Sequence, residues 1–143
     1  MAKSYEELRN LGHRSHQEWL NEGKEWVVDE IYAPDCEIVN RAVPEPLKHG
    51  REAFKAYGRG LRTAFPDMHI VNEDIVFDGK HLLIRWSMSG THNGSFFGVP
   101  ATGKPISLTG DDIMVLNDEG QIRYLYLEQD LLNLMAQMGL IPS

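Results

Sequence analysis

The hydrophobic pattern of this chain changes period near Pro66, and that change restricts the folds open to it. Upstream, Leu8, Leu11, His16, Trp19 and Leu20 recur near helical spacing behind a Ser4/Glu7 capping box. Trp26, Val27, Glu30 and Ile31 predict a short second helix that Pro34 ends, and residues 36–40 read as a short strand. Pro44 and Pro46 make 42–49 a loop, and a third helix opens at Gly50 with Phe54, Tyr57, Leu61, Ala64 and Phe65 on one face. Downstream, β-rich runs at 68–77, 81–92, 104–116 and 121–128 are separated by Asp78-Gly79, Asn93-Gly94 and Glu119-Gly120. A last helix is expected over 129–138, ended by Gly139. Helices first and strands afterwards is the α+β pattern, with N-terminal helices packed on a strongly curved antiparallel sheet.

At 143 residues, with no repeat and no Gly/Ser-rich linker, the chain is expected to form a single domain over 1–143. Its net charge of -7 and scattered basic residues disfavour phosphate backbones, so no nucleic-acid partner is expected. No apolar run approaches the ~20 residues a membrane span needs, and MAKSYEELRN lacks the apolar core of a signal peptide. The expectation is a cytoplasmic protein without a membrane partner. One cysteine, Cys36, offers neither an intrachain disulfide nor a thiol metal site. His13 and His16 stand three apart on the first helix with no third ligand at a recognisable spacing, so they read as a surface pair and no metal is expected.

Several short stretches carry a more specific signal: His49-Gly50-Arg51-Glu52-Ala53-Phe54, Ala64-Phe65-Pro66-Asp67, Arg85-Trp86, Gly90-Thr91-His92-Asn93-Gly94, Pro100-Ala101-Thr102-Gly103-Lys104, Asp118-Glu119-Gly120-Gln121-Ile122, and Asp130 followed by Leu131-Leu132 and Gln137-Met138-Gly139. In this order and spacing, the sequence resembles the SnoaL-like polyketide cyclases (ester cyclases) of the nuclear transport factor 2-like superfamily. The resemblance implies a cone-shaped barrel, commonly a homodimer through the outer sheet face. It also implies an apolar ligand-binding cavity for a small to medium organic ligand, and an intramolecular aldol closure that needs no cofactor. Because that superfamily hosts many reactions, the chemistry has to be argued from the site.

The resemblance places the general acid/base on Asp130. Counting back by twos along the preceding strand puts Glu128, Tyr126, Tyr124 and Ile122 on its side, provided no bulge intervenes. Aromatic walls would desolvate the carboxylate and raise its pKa; the competing reading is that Asp130 caps the last helix. His92 is a candidate to polarise a carbonyl, against a role as a turn histidine bonded to nearby backbone. Asn40 is a candidate donor to an enolate oxygen, against a strand-ending Asn that starts the following loop. Trp19, Phe54, Tyr57, Trp86, Tyr124 and Tyr126 are the expected substrate-binding walls. If the side of Trp86 and Met88 faces the cavity, Arg85 lies outside, and of the pair Asp111-Asp112 one member must point outward.

The chain departs from the family pattern at Val115, where a basic residue is frequent, at Tyr126 in place of the usual tryptophan, and at Tyr124 in place of an acidic residue. Two other readings therefore stand beside the proton-transfer enzyme: a small-molecule binding protein without turnover, and an interaction module whose cone is filled by its own side chains.

Overall fold

The computed structural model describes residues 2–142. Helix α1 (Tyr5–Arg9) opens with the expected capping box, Ser4 Oγ accepting from the Glu7 amide and Glu7 accepting from the Ser4 amide. The chain does not continue as one α-helix to Leu20. After a short turn α2 (Leu11–His13) it widens into a π-helical run, Arg14–Asn21, marked by the Glu22 N–H donating to the Gln17 carbonyl. This winding buries Ser15, His16, Trp19 and Leu20 together. π-Helical winding is rare and is frequently found at functional sites.

Helix α3 (Trp26–Ile31) leads directly into β1 (Tyr32–Val39), so the helix ends three residues before Pro34 and the strand runs through it. Pro34 is tolerated because β1 is an edge strand and its register shifts between Tyr32 and Glu37. Helix α4 (Arg51–Ala64) buries Phe54, Tyr57, Gly58, Leu61 and Ala64 on one stripe. Gly58 is required by packing: a Cβ there would sit 2.3 Å from the Trp19 ring, so bare backbone lets that indole lie on the helix.

The sheet continues with β2 (His69–Phe77), β3 (His81–Thr91), β4 (Pro105–Leu116) and β5 (Ile122–Gln129), and α5 (Leu131–Gln137) closes the fold. Strand order is β1-β5-β4-β3-β2, so the sheet curls without closing into a barrel, and β1 and β2 remain its edges. The four later strands pair antiparallel, but β1 lies parallel to β5, with Ile38 opposite Leu125. The expected four-strand antiparallel meander is present, and the short first strand joins it in parallel at the β5 edge. A short strand shows its pairing direction through its neighbours, and β1 meets its neighbour only after α4 and the whole meander have been laid down. Asn93-Gly94 is not a hairpin turn either; it starts a longer β3–β4 connection held by paired hydrogen bonds between Phe96 and Val99.

Inward-facing residues of the sheet and the apolar stripes of the helices form one hydrophobic cluster. Trp86, Gly110 and Gln129 stand side by side across β3, β4 and β5. A Cβ on Gly110 would lie 2.4 Å from both the Trp86 ring and the Glu128 carbonyl oxygen, so glycine is what allows the indole to lie across β4.

Candidate active site

Inside the curl of the sheet lies an apolar void of about 40 Å³, walled by Phe54, Leu61, Met88, Leu108 and Leu127 among others. Its polar lining is small and specific: Ser15, His16, Tyr32, Tyr57, Asp112 and Gln129. The π-helical run supplies Ser15 and His16, β1 supplies Tyr32, α4 supplies Tyr57, and β4 and β5 supply Asp112 and Gln129.

The centre of this lining is a buried pair. His16 and Asp112 are 4% and 2% exposed, and Nε2 of His16 lies 2.8 Å from Asp112 Oδ2. The Trp86 indole donates to Asp112 Oδ1 at 3.0 Å, and Nδ1 of His16 faces the Asn72 side-chain oxygen. Both ring nitrogens thus face acceptors, an arrangement that favours the doubly protonated ring beside Asp112. Burial is the largest single influence on His16 and would push its pKa down. The hydrogen bond and charge of Asp112, with a smaller contribution from Asn72, together outweigh it and hold the ring above the ordinary 6.5. An ionised carboxylate has about four lone-pair sites, and Trp86 and His16 occupy two, leaving Asp112 able to accept from a molecule in the void.

Two phenols complete the site. Burial pushes Tyr57 up to about 12, against a lesser lowering by Gln129, and pushes Tyr32 well above its ordinary value, against a lesser lowering by Ser15. Both remain neutral donors across the physiological range. Gln129 Nε2 donates to the Tyr57 oxygen at 3.2 Å, which leaves the Tyr57 hydrogen free to point elsewhere. Ser15 Oγ and the Tyr32 hydroxyl are 2.6 Å apart.

The sequence pattern of the SnoaL-like polyketide cyclases matches residues 11–138. The chain belongs to that family. Solved structures agree: TsrD from Streptomyces laurentii is 27% identical with a TM-score of 0.79, covering 95% of each chain. IdmH from Streptomyces antibioticus, a polyketide cyclase candidate, is 28% identical with a TM-score of 0.76 over 92% of this chain and 98% of its own. A SnoaL-like protein from Jannaschia sp. CCS1 superposes with a TM-score of 0.85 at 23% identity, over 99% of each chain, and supports the fold. No curated protein matches at a significant level.

In this SnoaL-like chain the residues expected from sequence divide sharply. Phe54, Tyr57 and Trp86 line the void, with Arg85 outside and paired to Asp74. Asp130 does not project inward: it is exposed and accepts from the Asn133 amide as the N-cap of α5. Tyr126 is exposed and Tyr124 half-buried, because the bulge against Val115 and Leu116 shifts the alternation and turns Leu125, Leu127 and Gln129 inward instead. Trp19 is fully buried away from the void, beneath the Arg62 guanidinium 4.5 Å from its ring centre. His92 is buried outside the void, its Nδ1 accepting from the Thr102 amide and facing Thr102 Oγ1, so it anchors the 92–104 connection. Asn40 spends its amide on the Leu127 carbonyl and the Ala42 amide, fixing the start of its loop.

The expectation of a surface His13/His16 pair is corrected, since His16 is buried against Asp112. The signal for it was present: His16 falls within the apolar helical stripe, and Asp112 is one of two adjacent acids on a half-buried strand. Among the described residues no group of three or more His, Cys, Asp or Glu is placed to hold a metal. No helix among them is long and apolar enough to cross a membrane. Burial, with Asp35 adding slightly, raises the Cys36 thiol to about 11, which leaves it unreactive.

A raised folded-state pKa makes a linkage prediction. The folded protein holds the His16 proton more tightly than the unfolded chain, so this contribution to stability is complete below about 6.5 and is lost as pH rises through the higher folded value. Thermal unfolding across that window should show stability falling with pH in the natural chain and a flatter profile in His16→Gln. Identical profiles would show that the pair carries no such proton.

Proposed function

We propose that the protein is an acid/base enzyme of the polyketide cyclase type, which moves a proton on an apolar carbonyl substrate and closes a ring by intramolecular aldol addition. The observation that carries this reading is the net-neutral His16–Asp112 pair, with carboxylate lone pairs unspent, in the wall of an apolar void. Asp112 takes the proton from the carbon beside a substrate carbonyl. The C–H electron pair becomes the enolate, whose oxygen accepts from the Tyr57 hydroxyl. The enolate carbon then adds to a second carbonyl of the same molecule, and the resulting alkoxide takes the proton back from Asp112. Throughout, the His16 imidazolium stays opposite one negative charge, first on Asp112 and then on the substrate. The chamber's net charge therefore never changes, which limits the electrostatic cost of forming an enolate in a low-dielectric site.

The same pair argues against a cone merely filled by its own side chains. A buried ion pair contributes weakly to stability compared with apolar residues of similar volume, so a packing role alone gives little reason for it. Binding without turnover would likewise gain little from a base beside a neutral phenol donor. A phenyl ketone such as acetophenone tests the chemistry in deuterated buffer. Deuterium exchange at its methyl group should be accelerated, and should fall by ~10²–10⁴-fold in Asp112→Asn. Tyr57→Phe, which removes one hydroxyl and is expected to fold, should lose ~10²–10³-fold. Exchange unchanged in Tyr57→Phe and in a folded Asp112→Asn would defeat the mechanism.

Pairing of two chains through the outer sheet face is part of the same proposal. That face exposes Val76, Leu83, Ile113 and Tyr126 at 59%, 44%, 38% and 41% beside the Arg85–Asp74 pair, an apolar patch of the kind that marks an interface. Light scattering should give twice the chain mass, reduced to one chain by Leu83→Glu; a monomeric natural chain would refute it.

A further inference from the structure

The void alone is too small for a substrate, which raises the question of where the rest of a ligand would lie. At about 40 Å³ it holds a few waters as it stands, since each needs roughly 10–15 Å³ of such space, and it takes a phenyl ketone only when the Leu and Met side chains of its wall repack around the ring. On the outside of the same wall, a groove of about 570 Å³ runs between β1, the 40–49 loop and the end of β5. Among the described residues, Gln129 alone borders both spaces. It is the last residue of β5 and half-buried. Its cross-strand neighbour is Gly110, so no side chain on β4 clamps it, and its inward hold is the single 3.2 Å bond to Tyr57. Breaking that one bond by rotation of the amide would join the two spaces and leave the Tyr57 hydroxyl to bind what enters.

The groove differs chemically from the void. Glu37, Arg41, Glu45, Lys48, His49 and Glu128 line it; Lys48 lies 3.0 Å from Glu45, His49 lies 3.3 Å from both Glu37 and Glu45, and Glu37 is also 3.6 Å from Arg123. Glu45 is met by Lys48 and Glu37 by Arg123, and the remaining charged lining residues, Arg41 and Glu128, are of opposite sign, so the groove offers hydrogen bonds without demanding a net charge. We propose that groove and void are one bipartite ligand site joined at Gln129, taking a molecule with a compact apolar carbonyl head inside and a neutral, hydroxyl- or ether-bearing tail outside. The proton-transfer reading decides only which end of the ligand lies inside.

Calorimetric titration of the full chain with two probes separates the parts: acetophenone, and acetophenone carrying a hydroxyl-terminated tri(ethylene glycol) ether at the para position. The tailed probe should bind about tenfold more tightly. Ala42→Trp, which fills the groove, should remove that advantage and leave acetophenone binding unchanged. Arg41→Trp, at an exposed groove position, gives the same test if the first variant fails to fold. Equal affinity for the two probes, an advantage that survives in the folded variants, or binding of neither probe would overturn the bipartite site. Methyl exchange with no effect of the tail would overturn the groove and leave the proton-transfer reading standing. A tail advantage without exchange would support the groove and count against the chemistry.

Discussion

The ion pair between His16 and Asp112 is the interaction on which the arrangement of this protein turns. Two charged groups taken out of water cost several kcal/mol each unless geometry and further hydrogen bonds compensate. Here Asn72 on β2, Trp86 on β3 and Asp112 on β4 surround one imidazole from the π-helical run, so the first segment of the chain is tied to three strands of the sheet. Several local features follow from that requirement. The π winding turns His16 inward beside Ser15, and Gly110 leaves room for the Trp86 ring to lie across β4 and reach the carboxylate.

The rest of the chamber is apolar, and this gives the few polar groups their strength. Desolvation keeps Tyr32 and Tyr57 protonated and would discharge His16 were Asp112 not beside it. A site built this way holds one mobile charge balance with a donor at either end. Its contents are set by shape as much as by polarity, because the apolar walls combine the Phe54 and Trp86 rings with Leu, Ile and Met side chains that can repack around a ligand.

The sequence carried the fold further than the site. Helical spacing before Pro66 and alternation after it yielded the helices and the four-strand meander nearly to the residue, because burial of one face imposes those periods. It did not carry the π winding, which changes hydrogen-bond partners while keeping the same apolar residues, nor the parallel edge, which depends on where β1 arrives. On the site, one wrong anchor propagated. Counting from Asp130, a helix cap outside the strand, put Tyr124 and Tyr126 inside, and the bulge at Val115–Leu116 had no sequence mark strong enough to correct it. His16 and Asp112 are 96 positions apart, and neither looks special alone; what defines them is a contact that exists only once the helix lies on the sheet.

Nitrogen NMR of the His16 ring reports whether it is a buried imidazolium paired with Asp112. Near neutral pH both ring nitrogens should carry protons, and the imidazolium signal should persist above 6.5, the ordinary histidine value. A ring with a single protonated nitrogen under the same conditions would contradict the buried imidazolium.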